Sequence, residues 1–403
     1  MNQQQRTKII LVLGALAALG PFSIDMYLPG FPAIAKDLQT DIAHVGFSLT
    51  SYFVGISVGQ LIYGPVIDRY GRRTPLLIGL FLYLLAAIGC AFAPDVFWLI
   101  GLRLLLALGG CVGMVAGRAI VRDLFPASET AKVFSTLILV MGVAPIVAPT
   151  LGGFVTASFG WRHIFTALTL IAAALLFMVY RLLPESKQPD ASVSLQPKKV
   201  LKDYLMVLKD PEFITYSIAG SVAFAGMFAY ISGSPFVFME YFGLSETYYG
   251  WLFGLNAFGF ILGSQINRLL LKRKTAEQIT RRASVFQGVL GLLLAVGTVW
   301  GVLDVTGTLV LIFGFLFCSG FVAPNATAVA LSPFTRYAGS ASALLGSIQM
   351  VAGALASVSV SFFHNGTPLP MALTMAGCAS FALGVLLIYR HKAKRAEMAA
   401  ASH

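Results

Sequence analysis

The sequence predicts an all-α integral membrane protein with twelve spanning helices, and three observations predict it. The 403 residues are 57% hydrophobic and only 11% charged, with mean hydropathy +0.81. A soluble domain carries about 25% charged residues. Apolar runs of about 20 residues, enough to cross about 30 Å of hydrocarbon as a helix, are separated by short polar links. The alternating runs of about ten residues that barrel strands need are not seen. The positive charge is also one-sided. Of the 28 Lys and Arg, all but Lys36, Arg103, Arg118 and Arg162 fall in one set of alternate links and tails. By the positive-inside rule, both termini face the cytoplasm and the number of spans is even. The net charge of +11 therefore reflects topology and not a nucleic-acid surface.

The spans read as 8–28, 45–66, 74–93, 96–118, 132–155, 163–183, 213–236, 247–269, 282–303, 307–331, 339–362 and 369–390. Arg6 and Lys8 before the first apolar run imitate a signal peptide, but no small-x-small cleavage pattern follows, so an uncleaved first span is expected. The longest link, 184–212, carries Lys187, Lys198, Lys199, Lys202 and Lys209 and an amphipathic stretch at Val200–Leu208 suited to the membrane surface. It divides the chain into an N-terminal six-helix bundle (1–183), a cytoplasmic linker (184–212) and a C-terminal bundle with a basic tail (213–403). A faint repeat supports the division. Gly64-x-x-x-Asp68-Arg69 ends the second span and Gly263-x-x-x-Asn267-Arg268 the eighth, each followed by a basic cluster.

Asp25 is the only acid inside a span rather than at its edge. A carboxylate in hydrocarbon costs several kcal/mol, and such residues usually mark an ion or proton path. Pro21, four residues earlier, frees a backbone carbonyl and can kink the helix. Arg103 in the fourth span is its candidate partner. At about 1.5 Å per residue, Asp25 lies roughly 24 Å from the inner end of its helix, and Arg103 roughly 22 Å from the inner end of its own. The two can share a level. A cation nearby favours the charged carboxylate and dehydration the neutral one, so a conformational change can shift the balance. A static ion pair is the alternative. The four cysteines lie in apolar runs without ligand spacing, and no metal motif or phosphate-binding Gly-Lys-Ser/Thr loop is present. No metal, no cofactor and no direct use of ATP are expected. His44, His163 and His364 near outer ends and His391 in the basic tail do not form a buried relay.

The link after the second span reads Gly64-Pro-Val-Ile-Asp68-Arg69-Tyr70-Gly71-Arg72-Arg73. Gly64 allows close helix contact, Gly71 a tight turn, Asp68 pairing with cations, and Arg72 a reach to Asp123. This resembles the loop signature of the major facilitator superfamily. The resemblance implies the major facilitator fold, twelve helices in two six-helix bundles around a central cavity, with alternating access by rocking. The fifth span holds Pro145, Pro149, Gly152 and Gly153, which let a helix bend and pack closely. It resembles the motif that marks antiporters in this superfamily, with Ala148 where Gly is usual. Arg103 resembles a motif linked to proton transfer, with Leu106 in place of the usual Gln. Ser23-Ile24-Asp25-Met26-Tyr27-Leu28-Pro29, Gly59-Gln60-Leu61-Ile62-Tyr63-Gly64-Pro65 and Ala225-Gly226-Met227-Phe228 are similar to the Bcr/CflA family of drug–proton antiporters. That resemblance covers nearly the whole chain.

It implies a monomer in the bacterial inner membrane that exports small amphipathic drugs of the bicyclomycin, amphenicol or sulfonamide kind. The partners it implies are the drug, protons and membrane lipid, with no nucleic acid, and Asp25 carries the proton. In the implied fold the first, fourth, seventh and tenth helices line the cavity. Candidates to touch substrate are Phe22, Tyr27, Phe224, Phe228, Tyr230 and Asn325, joined by Asn256 and Gln349 from neighbouring helices. Glu240 and Glu246 read as surface acids. A proton-coupled symporter or facilitator for a small metabolite is the alternative, and the antiporter-like fifth span argues against it. An enzyme would need a catalytic constellation that the sequence does not display.

Overall fold

Each predicted span is helical, and most helices run past the apolar stretch that announces them. The computed structural model describes residues 3–190, 197–334 and 338–401, so part of the linker, 191–196, lies outside the described residues. In chain order the helices are α1 (Gln3–Asp25), α2 (Phe31–Asp37), α3 (Ile42–Tyr70), α4 (Arg73–Ala91), α5 (Val96–Leu124), α6 (Ala127–Phe159) and α7 (Arg162–Leu182). They continue with α8 (Pro197–Val207), α9 (Pro211–Pro235), α10 (Glu246–Leu270), α11 (Ala276–Val299), α12 (Val305–Leu331), α13 (Ala338–Phe362) and α14 (Leu369–Ala401). A short turn, Leu28–Gly30, joins α1 to α2, and a wider π turn, Phe236–Tyr241, follows α9. No strand occurs among the described residues.

Polar caps explain the extra length. Asp41, Asp95, Asp210 and Asp304 accept backbone N–H groups at 2.7–2.9 Å from the residue three positions on. Each carboxylate satisfies an orphan donor and lies at the positive end of a helix dipole. Hydropathy alone places the boundary inside these caps. Eleven helices among the described residues are long and apolar enough to cross a membrane. The twelfth span is α10, 25 residues long but more polar, with Asn256, Gln265, Asn267 and Arg268 along it. Between α7 and α9, α8 leaves Leu201, Leu205 and Met206 exposed, which suits a helix lying on the membrane surface.

The chain forms two units. One comprises Met1–Lys202 with Ile231–Ala257, and the other Asp203–Tyr230 with Phe258–His403. In the first, α5 packs against both α3 and α4, and α1 against α6 and α7. Close approach is set by small residues. A Cβ at Gly109 of α5 would stand 2.5 Å from the Tyr83 backbone nitrogen and 2.6 Å from the Gly79 carbonyl oxygen of α4. In the second unit α11 packs against α12 and α14, and Phe321, Val322, Ala223, Ile279, Ala283 and Ala382 form a buried core. Large apolar side chains such as Phe92, Phe97, Trp300 and Phe362 remain exposed, as expected of a chain whose solvent is lipid.

The α4–α5 crossing yields a test. Gly109→Leu forces two backbones apart and is expected to destabilise the protein by about 1–3 kcal/mol. Gly101→Leu, on the same helix with nothing within 4 Å of a Cβ, is expected to change stability by less than about 0.5 kcal/mol. Thermal unfolding in detergent checks both. Equal melting temperatures would refute the close crossing.

Candidate functional site

α1 ends at Asp25, and the chain turns through Leu28–Gly30 into α2, so the acid lies at a break within one long apolar span rather than in mid-helix. Asp25 is 4% exposed and makes no hydrogen bond or ion pair among the described residues. Arg103 does come to its level. The arginine is fully buried in α5, and Nη1 donates to the Ser23 carbonyl oxygen at 2.8 Å, two residues before Asp25. The static ion pair, the alternative reading of these two residues, does not form in this structure. Instead the guanidinium is held between two rings, with Cζ 4.4 Å from the centroid of Tyr27 and 4.4 Å from that of Tyr52. Two electron-rich faces supply attraction that a carboxylate would otherwise give. Nε and Nη2 are buried without a partner among the described residues.

Hydroxyl groups lock the arrangement. Ser23 Oγ donates to the Leu19 carbonyl at 2.6 Å and shares a 2.7 Å hydrogen bond with the Tyr83 hydroxyl of α4. Tyr27 was expected to line a cavity. It is fully buried, its hydroxyl 2.8 Å from Ser48 Oγ and its ring against Phe31 and Phe165, because its outer face is occupied by packing and its inner face by Arg103. Phe22 is half-buried. Sequence reading missed Ser48, Tyr52 and Tyr83, and had Ser23 only as part of the Ser23–Pro29 family stretch. The available signal was the demand of a buried guanidinium for aromatic or carbonyl partners.

The proline-rich helix reaches the same place. A Cβ at Gly152 of α6 would overlap the carbonyl oxygen of Met26, the residue after Asp25. A Cβ at Gly153 would stand 2.8 Å from the Glu246 carbonyl oxygen of α10. From the other side, a Cβ at Gly250 would stand 3.1 Å from the Pro149 carbonyl oxygen. So Pro145, Pro149, Gly152 and Gly153 lie on a helix seated by its backbone against both the Asp25 turn and the start of α10. Glu240 is exposed and Glu246 half-buried.

The α3–α4 turn is a third centre. Gly71 has φ +83°, and a Cβ there would meet the Glu185 carboxylate at 2.7 Å. Arg72, 5% exposed, reaches Asp68 at 2.7 Å, Asp123 of α5 at 2.9 Å and the Ile67 carbonyl at 2.8 Å. Burial disfavours the charged guanidinium, but the hydrogen bonds it donates to Asp123 and Asp68 outweigh that, so Arg72 holds its proton more tightly than an ordinary arginine. Glu185, which sequence reading did not single out, accepts the backbone N–H groups of Arg72 at 2.6 Å and of Arg73 at 3.1 Å. Ser186 Oγ donates to Asp123, Lys187 Nζ approaches Asp68 at 3.4 Å, and Asp190 N–H donates to the Arg69 carbonyl. The start of the linker is thereby strapped onto the turn. Gly64 departs from expectation: no described atom lies within 4 Å of a Cβ placed there, so it makes no close helix contact in this structure.

The profile of the Major Facilitator Superfamily matches residues 13–357. The chain belongs to the Major Facilitator Superfamily. A bicyclomycin resistance protein homolog of Haemophilus influenzae is 33% identical over 393 residues, covering 96% of this chain and 97% of that one. Multidrug resistance protein D of Escherichia coli is 29% identical over 374 residues, covering 91% and 92%. The crystal structure of a D-xylose–proton symporter superposes with a TM-score of 0.73 at 15% identity, covering 93% and 97%, which establishes a shared fold. The resemblance to the Bcr/CflA branch and the transporter class, rather than an enzyme, follow from these matches.

The second unit of this major facilitator holds most of the remaining candidates. On α9, Phe224 packs edge-on against Phe228 at 5.4 Å and tilted against Phe260 of α10 at 6.1 Å. Phe228 and Tyr230 are buried, and Phe228 fills the space left by Gly353. Asn325 is not free to orient a ligand. Its Nδ2 donates to Asn267 Oδ1 at 2.7 Å and to the Phe321 carbonyl at 2.9 Å, and Asn267 Nδ2 returns a bond at 3.3 Å. The amide pair forms because Asn267 stands where the first repeat has Asp68, and an amide can both give and accept. Gln349 is half-buried and makes a long 3.5 Å contact with Thr327. Asn256 is fully buried in the part of α10 that belongs to the first unit.

Two outcomes are expected from these sites. Tyr52→Leu removes one face from Arg103 and should cost about 2 kcal/mol of stability, while Tyr52→Phe keeps the ring and should cost clearly less. Thermal unfolding of both variants distinguishes a ring effect from a hydroxyl effect, and equal losses would discard the ring. Glu185→Ala should free the strap and speed tryptic cleavage after Lys187 about tenfold. An unchanged cleavage rate would show that the strap is held by other contacts.

Proposed function

We propose that this chain is a proton-driven exporter of small amphipathic drugs, working by drug–proton antiport with alternating access. The observation that carries the reading is Asp25, a buried carboxyl without an ion-pair partner among the described residues, at a helix break one residue from the backbone contact with Gly152. An isolated charge there is costly, so the group is stable neutral, or charged only when water or a cation reaches it. Rearrangement of α6 against the Asp25 turn moves the acid between those environments. Arg103, with Nε and Nη2 unpartnered among the described residues, is the nearby cation. The relatives named for bicyclomycin resistance and multidrug resistance support the substrate class. Phe22, Phe224, Phe228 and Tyr230 supply apolar contact, and Asn256 and Gln349 supply amides. The Arg72 hub is the element that opens and closes one side.

On this reading the protein lies in the bacterial inner membrane as a monomer with both termini in the cytoplasm. It needs no cofactor. Protonation of Asp25 from outside accompanies drug release, and the neutral acid permits the return. Each charge moved through the membrane is worth about 2.3 kcal/mol per 100 mV, and about 1.4 kcal/mol sustains a tenfold gradient.

Proteoliposomes under an imposed pH gradient test the proposal with bicyclomycin, an amphenicol and a sulfonamide. Drug-linked proton movement is expected in the wild type and is expected to fall to background in Asp25→Asn. Drug movement only down its own gradient, alike in both proteins, would reduce Asp25 to a structural residue.

A further inference from the structure

α4 and α7 leave a groove between them on the outside of the first unit. It encloses about 570 Å³ and is lined by Leu77, Phe81, Leu84, Leu176, Phe177 and Tyr180 among others, nearly all of it apolar. The helices are antiparallel, so Leu77 and Tyr180 lie at one end, and Leu84 lies roughly 10 Å further along. An apolar groove on a membrane protein invites an acyl chain, and the charge at one end says more. Arg73 is stacked over Tyr180 with Cζ 5.5 Å from the ring centroid, and donates to the Tyr180 carbonyl. Arg181 is stacked over Phe177 with Cζ 5.8 Å from that ring. Both rings line the groove.

Neither guanidinium meets a carboxylate among the described residues, although Glu185 accepts the Arg73 backbone N–H at 3.1 Å. Their neighbour Arg72 differs in this respect, since Asp68 and Asp123 both bind it. Stacking fixes the two guanidinium groups at the mouth of the groove while leaving N–H donors unspent. They lie on the side of the membrane where the Lys and Arg of the sequence gather.

We propose that this groove binds one anionic phospholipid, its acyl chain along α4 and α7 and its phosphate on Arg73 and Arg181. Fixed cations between transmembrane helices recognise anionic headgroups, and arginine offers paired donors to phosphate. The site is independent of proton coupling and of whatever substrate the transporter carries. The lipid holds α4 to α7 beside the turn that carries the Arg72 hub.

Native mass spectrometry of the intact protein, titrated in detergent with dioleoyl phosphatidylglycerol or dioleoyl phosphatidylethanolamine, tests the assignment. Wild type is expected to retain phosphatidylglycerol in preference to phosphatidylethanolamine. Arg73→Gln/Arg181→Gln should weaken phosphatidylglycerol retention roughly thirtyfold and leave phosphatidylethanolamine unchanged. Ala173→Trp, which fills the groove with both cations in place, should also release the lipid. Lys272→Gln/Arg273→Gln, which removes two cations elsewhere, should have no effect. Equal retention of the two lipids by wild type overturns the proposal, as does retention unchanged in both groove variants. An equal loss in the Lys272/Arg273 variant also overturns it, because the effect would then be diffuse charge.

Discussion

A guanidinium buried among membrane helices is expensive unless it is surrounded by groups that can accept its charge. Arg103 meets that need with two tyrosine faces and one carbonyl. Those partners come from α1, the turn that follows it and α3, and Ser23 extends the set to α4 through Tyr83. Four helices are therefore fixed around one side chain. The arrangement is electrostatically unfinished, because two guanidinium nitrogens have no partner among the described residues, and an acid lies two residues from the carbonyl that is used. Strong attraction from rings rather than from a carboxylate leaves that acid available for another task.

The same helices carry the second charged centre. Asp68 lies 16 residues beyond Tyr52 on α3, and Asp123 lies 20 residues beyond Arg103 on α5, which places the Arg72 hub roughly 24–30 Å along the same two rods. α3 and α5 pack along their length, with a Cβ at Gly55 meeting the Leu104 carbonyl at 2.7 Å. Tightly packed rods move together, since interiors are bistable rather than continuously deformable. On the proposed reading, a change at the hub displaces the aromatic walls of Arg103 as a body. α6 makes the contact at the other end: its prolines weaken its own hydrogen-bond ladder while its glycines keep its backbone seated on Met26 and α10.

What the sequence made legible follows from which physics is local. Hydropathy and charge bias found every span, because desolvation acts residue by residue. Helical rise alone placed Arg103 level with Asp25, and the hub's own loop named Asp68, Gly71 and Arg72. The failures involve partners that only packing selects. Arg103, read as the candidate partner of Asp25, is held by Tyr27 and Tyr52 instead, since ring faces compete well for a cation once water is gone. Tyr27 looked like a wall residue because an aromatic near a charged site reads the same whether it faces a cavity or a cation. Glu185 was overlooked because it lies just past the sixth span, where an acid ordinarily means solvent. Gly64 was read from its motif, and no described atom lies within 4 Å of a Cβ placed there.

The two repeats answer one structural need with different chemistry. In the first, Asp68 is held by Arg72 and Lys187, and Asp123 shares the same arginine. In the second, the position equivalent to Asp68 is Asn267, and it closes on Asn325 through a reciprocal amide pair. A charged hub responds to salt, to protonation and to anything that competes for its arginine. An amide pair does not, since neither partner ionises. Among the described residues, buried acids and cations are concentrated in the first unit, while the second contributes packed rings and the Asn267–Asn325 amide pair. On the proposed reading, proton coupling therefore has to arise within the first unit, and the second serves chiefly as an apolar counterpart.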